Sequence, residues 1–200
     1  MKLHGADQAF SEKVKSADFI RAMRAVASSV TVVTTNGGAG CHGATVSTFC
    51  SVSAEPPLVL VCIRKGSRIA RTIGANGCFC VNVIPSTCQA VADRFAGCHD
   101  DRLSDRFDGI DCEKQGLTGP VIVGSTAFAC TLEETFESGS HQIFIGRVIQ
   151  VHQGLTEPLA WLNGAYHRVV PHSGNPHQTL VPGDPNDAVP AIPVVTSALR

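Results

Sequence analysis

The sequence predicts a mainly β protein, a closed or partly closed barrel with helices at its periphery. Three observations point there. Short β-branched and apolar runs recur from Val30 to Val170, a composition that fits a pleated, half-buried surface. Only three stretches keep helical spacing. Glycine- and proline-bearing breaks separate the runs, and many short strands with few helices suit a barrel better than a layered α/β fold.

The elements follow in order. Residues 1–16 read as a loose lead-in. Ala17 to Ser28 places Phe19, Ile20, Met23, Val26 and Ala27 at helical spacing, an amphipathic helix. Val30 to Thr35 is β-branched and predicts a strand, Asn36 to Gly40 a turn, and Ala44 to Val52 a second strand. Glu55-Pro56-Pro57 breaks that strand. Leu58 to Ile63 is apolar throughout, a third strand expected to be buried on both faces. Ser67 is placed to cap a helix carrying Ile69, Ala70 and Ile73, with Gly74 or Gly77 as its stop. Cys78 to Ile84 is another buried strand. Ser86 is expected to cap a helix with Val91, Ala92 and Phe95 that ends at Gly97, and a charged loop runs from His99 to Asp108. Strands return over Ala127 to Glu137, Gln142 to Val151 and Ala165 to Val170. Residues 171–200 hold six of the eleven prolines without helical or strand period, an extended tail. The single barrel domain is therefore expected over residues 17–170.

Composition excludes several classes. The chain is 200 residues long, 44% hydrophobic and 16% charged, with a formal net charge of −1. Such a balance gives no long-range attraction to nucleic acid or anionic lipid. No apolar run reaches the roughly 18 residues of a membrane-spanning helix, and residues 1–16 lack a signal-peptide core. The expectation is a cytoplasmic protein. Nine cysteines occur with no Cys-x-x-Cys; most lie in apolar surroundings and read as buried thiols rather than as a disulfide or metal framework.

One motif misleads. Gly38-Ala-Gly40-Cys-His-Gly43 fits the dinucleotide pattern G-x-G-x-x-G and follows a strand. That fingerprint needs a helix opening at its last glycine, whereas Ala44-Thr-Val-Ser-Thr-Phe49 is β-branched. It reads as a hairpin turn. A nucleophile elbow, a phosphate-binding Walker loop and H-E-x-x-H are all missing from the sequence.

Gly43-Ala-Thr-Val-Ser-Thr-Phe-Cys-Ser-Val-Ser-Ala-Glu-Pro-Pro-Leu58 resembles the signature stretch of the flavin reductase family of two-component flavin-dependent monooxygenases. The resemblance continues through Val59 to Ser67, Phe79 to Val83, Arg94 to Gly97, His141 to Val148 and Leu162 to Tyr166. It implies an FMN-binding split barrel, a six-stranded Greek-key barrel with peripheral helices that forms a homodimer and binds FAD or FMN near the subunit interface. It further implies NADH as reductant and a flavin-dependent oxygenase component, typically acting on a phenol-like aromatic, as recipient of reduced flavin.

Physical chemistry supports the transfer of site residues. A flavin needs an apolar slot, edge hydrogen bonds and an anion site. Thr45, Val46, Ser47 and Thr48 offer backbone groups and hydroxyls on a strand. Cys62, Ile63, Arg64, Lys65, Ser67 and Arg68 lead from a buried strand into a helix start with flanking cations, a ready phosphate site. Arg94, Phe95 and Ala96 resemble the family's second flavin-contacting segment, His141 its histidine near the nicotinamide, and Tyr166 an aromatic framing that pocket. The family carries an acidic residue before the histidine, where this chain has Ser140. The expected reaction is direct hydride transfer, in which the two cofactors carry the chemistry and the protein stacks and orients them. Two alternatives stand beside this reading: a flavin-retaining oxidase of the pyridoxamine-phosphate type, and a non-catalytic flavin- or haem-binding barrel.

Overall fold

Thr31–Thr35 is buried along its whole length, because both faces of this strand meet apolar partners. Val33 points into one core with Val61, Ile63, Phe79, Val81 and Phe144, and Val32 points the other way toward Ile84, Ala92, Phe95 and Leu159. A computed structural model describes residues 14–98, 100–102, 105–113, 118–154 and 157–170. The rest of the lead-in and the proline-rich stretch 171–200 lie outside the described residues.

The described residues form helices α1 (Ser16–Met23), α2 (Arg68–Asn76) and α3 (Gln89–Ala96). Their strands are β1 (Ser28–Ser29), β2 (Thr31–Thr35), β3 (His42–Val46), β4 (Phe49–Ala54), β5 (Pro57–Arg64) and β6 (Cys78–Val83), followed by β7 (Cys112–Glu113), β8 (Val121–Ile122), β9 (Thr126–Ser138), β10 (His141–His152), β11 (Leu159–Leu162) and β12 (Ala165–Arg168). The main sheet runs β3-β2-β6-β9-β10-β5-β4, and every neighbouring pair is antiparallel. Its two end strands, β3 and β4, are joined only by Ser47 and Thr48. Two residues cannot span a flat seven-stranded sheet, so the sheet rolls until its edges meet. The edges meet without pairing: β3 bonds β2 alone and β4 bonds β5 alone. The barrel is therefore split along a seam between β3 and the β4–β5 pair.

Several expectations are corrected. The predicted strand Ala44 to Val52 is two strands, because the chain turns the corner of the barrel at Ser47–Thr48; this break gives the sheet seven strands where six were expected. Leu58 to Ile63 is not buried on both faces: Val59, Val61 and Ile63 are buried and Leu58, Leu60 and Cys62 only half-buried, since no helix of the described residues covers the outer barrel face there. α1 stops at Met23, five residues short of Ser28, and buries none of its residues. Past Arg24 the chain enters β1, which pairs Ser28 with Trp161. Ser86 does not cap α3. Its N–H and hydroxyl go to Glu157, and Cys88 occupies the cap position.

Other expectations hold. Ser67 caps α2 by accepting the Ala70 N–H at 3.3 Å, and the helix ends on Gly77 at φ 68°, the left-handed region that suits glycine. Ile69, Ala70 and Ile73 plug the barrel. α3 ends on Gly97 at φ 91° with Ala92 and Phe95 buried.

Candidate active site

The seam is where function-bearing chemistry collects. Among the described residues no strand pairs with the outer edge of β3, so that edge faces the gap. Ala44, Thr45, Val46, Ser47 and Thr48 form one wall of a cleft of about 310 Å³, and Cys62, Ile63 and Arg64 at the end of β5 form the other. Ser67 and Ile69 at the start of α2, with His141 at the start of β10, close its end. The volume falls in the range of small-molecule and cofactor clefts. Register explains the convergence: His141 pairs with Arg64 across β10 and β5, so both side chains leave one face of the sheet at one point. Arg64 is exposed and has no ion-pair partner among the described residues. The first turn of α2 adds backbone N–H groups that the helix itself does not satisfy.

A second cleft, of about 210 Å³, adjoins the first along Thr45, Val46 and Ser47. Val30, Thr45, Val46 and Ser47 line it together with Ala96, Trp161 and Tyr166. The two aromatic rings meet edge-on, centroids 5.0 Å apart. The Tyr166 hydroxyl donates to Asp93 Oδ1 at 2.9 Å. Burial, and then the Asp93 carboxylate, push the phenol up to about 12.

Most of the residues expected at the site are brought together. Thr45 to Thr48, Cys62, Ile63, Arg64, Ser67 and His141 line the first cleft; Thr45 to Ser47, Ala96 and Tyr166 line the second. His141 and Tyr166, expected in one pocket, stand in adjoining clefts within the chain. Lys65 and Arg68 line neither of these clefts: Lys65 pairs with Glu137, and Arg68 stands exposed beside His42. Arg94 donates to the Asp108 carbonyl at 2.6 Å. Phe95 is 1% exposed, edge-on to Phe107 in the core, so it shapes the site from beneath. The Thr45 hydroxyl donates to the Ala92 carbonyl at 2.7 Å, and the Val46 carbonyl accepts from Thr31 at 3.0 Å. Ser47 and Thr48 therefore hold the free hydroxyls of that wall.

Four residues escaped the sequence. Trp161 lines the second cleft, and Asp93 joins it through the Tyr166 hydroxyl. Arg106 binds the carbonyls of Gly43 (3.1 Å) and Phe95 (2.9 Å) while Asp100 grips it from the other side. His42 is half-buried, and burial, then Arg68 and Arg106, lower its pKa to about 4. Ser140, in place of an acidic residue, shares a 2.9 Å hydrogen bond with Nδ1 of His141, so a neutral hydroxyl orients that ring.

A seam-split barrel whose cleft combines apolar side chains, hydroxyls, Arg64 and a helix start suits a flat, phosphorylated cofactor. Residues 23–170 match the family model described as a flavin reductase like domain. The chain is 32% identical over 160 residues to the FMN reductase (NADH) RutF of Bradyrhizobium diazoefficiens, covering 79% of this chain and 88% of that protein. It is 36% identical over 144 residues to the flavin-dependent monooxygenase reductase subunit HsaB of Rhodococcus jostii, covering 71% and 72%. Among solved structures, the Streptomyces globisporus NADH:FAD oxidoreductase SgcE6, in complex with NAD and FAD fragments, superposes with a TM-score of 0.72 at 31% identity, covering 82% of this chain and 99% of that one. The chain belongs to the flavin reductase family and is an NAD(P)H:flavin oxidoreductase.

Proposed function

We propose that the chain is the reductase component of a two-component monooxygenase: it reduces FAD or FMN with NADH and releases the reduced flavin to a separate oxygenase acting on a phenol-like aromatic. The observation that supports this most is the seam itself. There an open strand edge, a capped helix start and His141 converge on one cleft, a donor set that fits a flavin's ring edge and phosphate.

The flavin and nicotinamide, when bound, would supply the chemistry, hydride transfer between their rings. The chain does the positioning. Cys62, Ile63 and Ile69 give the slot its apolar floor, Ser47 and Thr48 offer hydroxyls along the ring edge, and Arg64 with the α2 N-terminus holds the phosphate. Lys65 and Arg68, next in sequence to the cleft residues Arg64 and Ser67, and Arg94, which donates to the Asp108 carbonyl at 2.6 Å, are the further cations assigned to a flavin's phosphates. His141 orients the nicotinamide from the seam, and Tyr166 walls its far side. No nucleophile or acid–base pair is called for, since orientation of two rings is the task.

The reading includes a homodimer and a cytoplasmic setting. Leu60 faces Ile145, Cys62 faces Ile143, and Ile143 faces Phe136 across the outer surface of β5, β10 and β9. That apolar face ends at Arg64 and His141, so a second copy covering it would enclose the cleft. No helix among the described residues is long and apolar enough to cross a membrane.

Release distinguishes this proposal from flavin retention. The protein, NADH and flavin are separated by a dialysis membrane from a flavin-dependent phenol hydroxylase and its substrate. Hydroxylated product should form at a rate that rises with free flavin concentration. Reduction confined to protein-bound flavin, with no product across the membrane, would contradict it.

A further inference from the structure

Asp93 is a half-buried carboxylate on α3, and its one side-chain hydrogen bond among the described residues is to the hydroxyl of Tyr166, 73 positions along the chain. No ion pair holds it among the described residues. Tyr166 packs against the cluster that holds Ala92, Phe95 and Leu159, where a phenylalanine ring would pack equally well, so the pair is suited to something that packing alone does not supply.

Two constraints act on the Tyr166 ring. Trp161 meets it edge-on at 5.0 Å, which fixes the ring plane. Asp93 fixes the hydroxyl end at 2.9 Å. The direction of the proton follows. A carboxylate only accepts, so the phenol hydrogen is committed to Asp93. Toward the cleft lined by Thr45, Val46, Ser47 and Ala96 the phenol oxygen then presents lone pairs alone. A ligand group bonded to it must be a donor. A phenol without that carboxylate could rotate its hydrogen either way and would accept or donate without preference.

We propose that Asp93 is a positioning residue that sets Tyr166 as an acceptor-only wall of the second cleft, selecting an N–H donor, the carboxamide NH2 of the nicotinamide, at that point. The inference rests on the proposal that the nicotinamide lies against Tyr166. It accounts for three facts at once: the carboxylate without a cation, the ring held at both ends, and the absence of any other titratable side chain among the described residues lining that cleft. The phenol stays protonated across the working range, since its pKa is pushed up to about 12, so the acceptor geometry does not switch with pH.

The test compares NADH with reduced 3-acetylpyridine adenine dinucleotide, whose acetyl group lacks the amide N–H, at saturating FAD. KM, kcat, flavin affinity and melting temperature are recorded for the wild-type protein, Asp93→Asn, Tyr166→Phe and Tyr166→Ala. The wild-type protein should favour NADH in kcat/KM by about tenfold, the loss expected for one hydrogen bond. Tyr166→Phe should bring the two dinucleotides within about twofold, mainly through a higher KM for NADH, with flavin affinity retained. Asp93→Asn should do the same, because the amide can donate to the phenol oxygen and turn its proton toward the cleft. A preference for NADH that survives unchanged in both Asp93→Asn and Tyr166→Phe would overturn the inference, and so would a wild-type protein with no preference. If Tyr166→Ala leaves the KM for NADH unaltered, the placement of the nicotinamide itself is wrong and the inference goes with it. If Tyr166→Ala raises KM while Asp93→Asn changes only melting temperature, the placement stands and Asp93 is a structural tie.

Discussion

Thr45 shows how register decides which atoms a site can use. The sequence presents Thr45, Ser47 and Thr48 as equivalent hydroxyls, yet the Thr45 hydroxyl is held by the Ala92 carbonyl, and only the two corner residues keep theirs free for a ligand. At His141, Ser140 takes the place of a carboxylate, and the ring's work is orientation. His141→Ala should raise the KM for NADH by about tenfold, one lost hydrogen bond to the dinucleotide, with flavin affinity unchanged in a fluorescence titration; unaltered NADH kinetics would contradict the role. His42 carries a second expectation. Burial, with Arg68 and Arg106, holds its pKa at about 4 in the fold, below the value near 6.5 of an unfolded chain. Between those values the unfolded state binds more protons, so stability falls as pH drops from 7 toward 4. For a half-buried, partly screened group the loss is about 1–2 kcal/mol. Melting temperature against pH should fall less steeply in His42→Gln than in the wild-type protein, and parallel curves would contradict this.

At the scale of elements, the corner at Ser47–Thr48 matters most, and it was the hardest feature to read. Ala44 to Val52 is one continuous stretch rich in Thr, Val and Ser, and nothing local marks the break. Only closure of the sheet demands it. By contrast, α2 with its Ser67 cap and Gly77 stop was legible, because caps and left-handed glycines are local chemistry. β11 was missed although its signal was present. Asn163 and Gly164 both have positive φ, 53° and 81°, in the turn joining Leu159–Leu162 to Ala165–Arg168, and Asn-Gly between short strands marks a hairpin. The four corrected site neighbours had no such signal: Asp93 and Arg106 matter through partners 73 and 63 residues away. Two substitutions test the packing of these elements. A Cβ at Gly146 in β10 would run into the Phe79 ring and approach Cys130 Cβ to 2.8 Å, so Gly146→Ala should cost about 1–3 kcal/mol by denaturant unfolding. Arg106→Ala strips a partner from the Gly43 and Phe95 carbonyls behind the site and should cost about 2 kcal/mol, a drop in melting temperature of about 4–8 °C.

For the whole molecule, the family resemblance carried further than periodicity could. Barrel class and helix positions follow from pattern, whereas the seam, and hence the cleft, follows from the sheet order. The outer face of β5 and β10 is apolar where an isolated barrel would present polar residues. A mass twice the 21.0 kDa chain is expected from light scattering, and Ile143→Glu should lower it to that of one chain and weaken flavin binding together with it. A wild-type protein that stays monomeric at working concentration would contradict the dimer. The central claim is that reduction serves a flavin free to leave. It is tested most directly by following NADH oxidation by the purified protein with FAD, with FMN and without flavin. Oxidation that requires added flavin and, under argon, leaves reduced flavin free in the ultrafiltrate is the predicted result. No oxidation with either flavin would contradict the account.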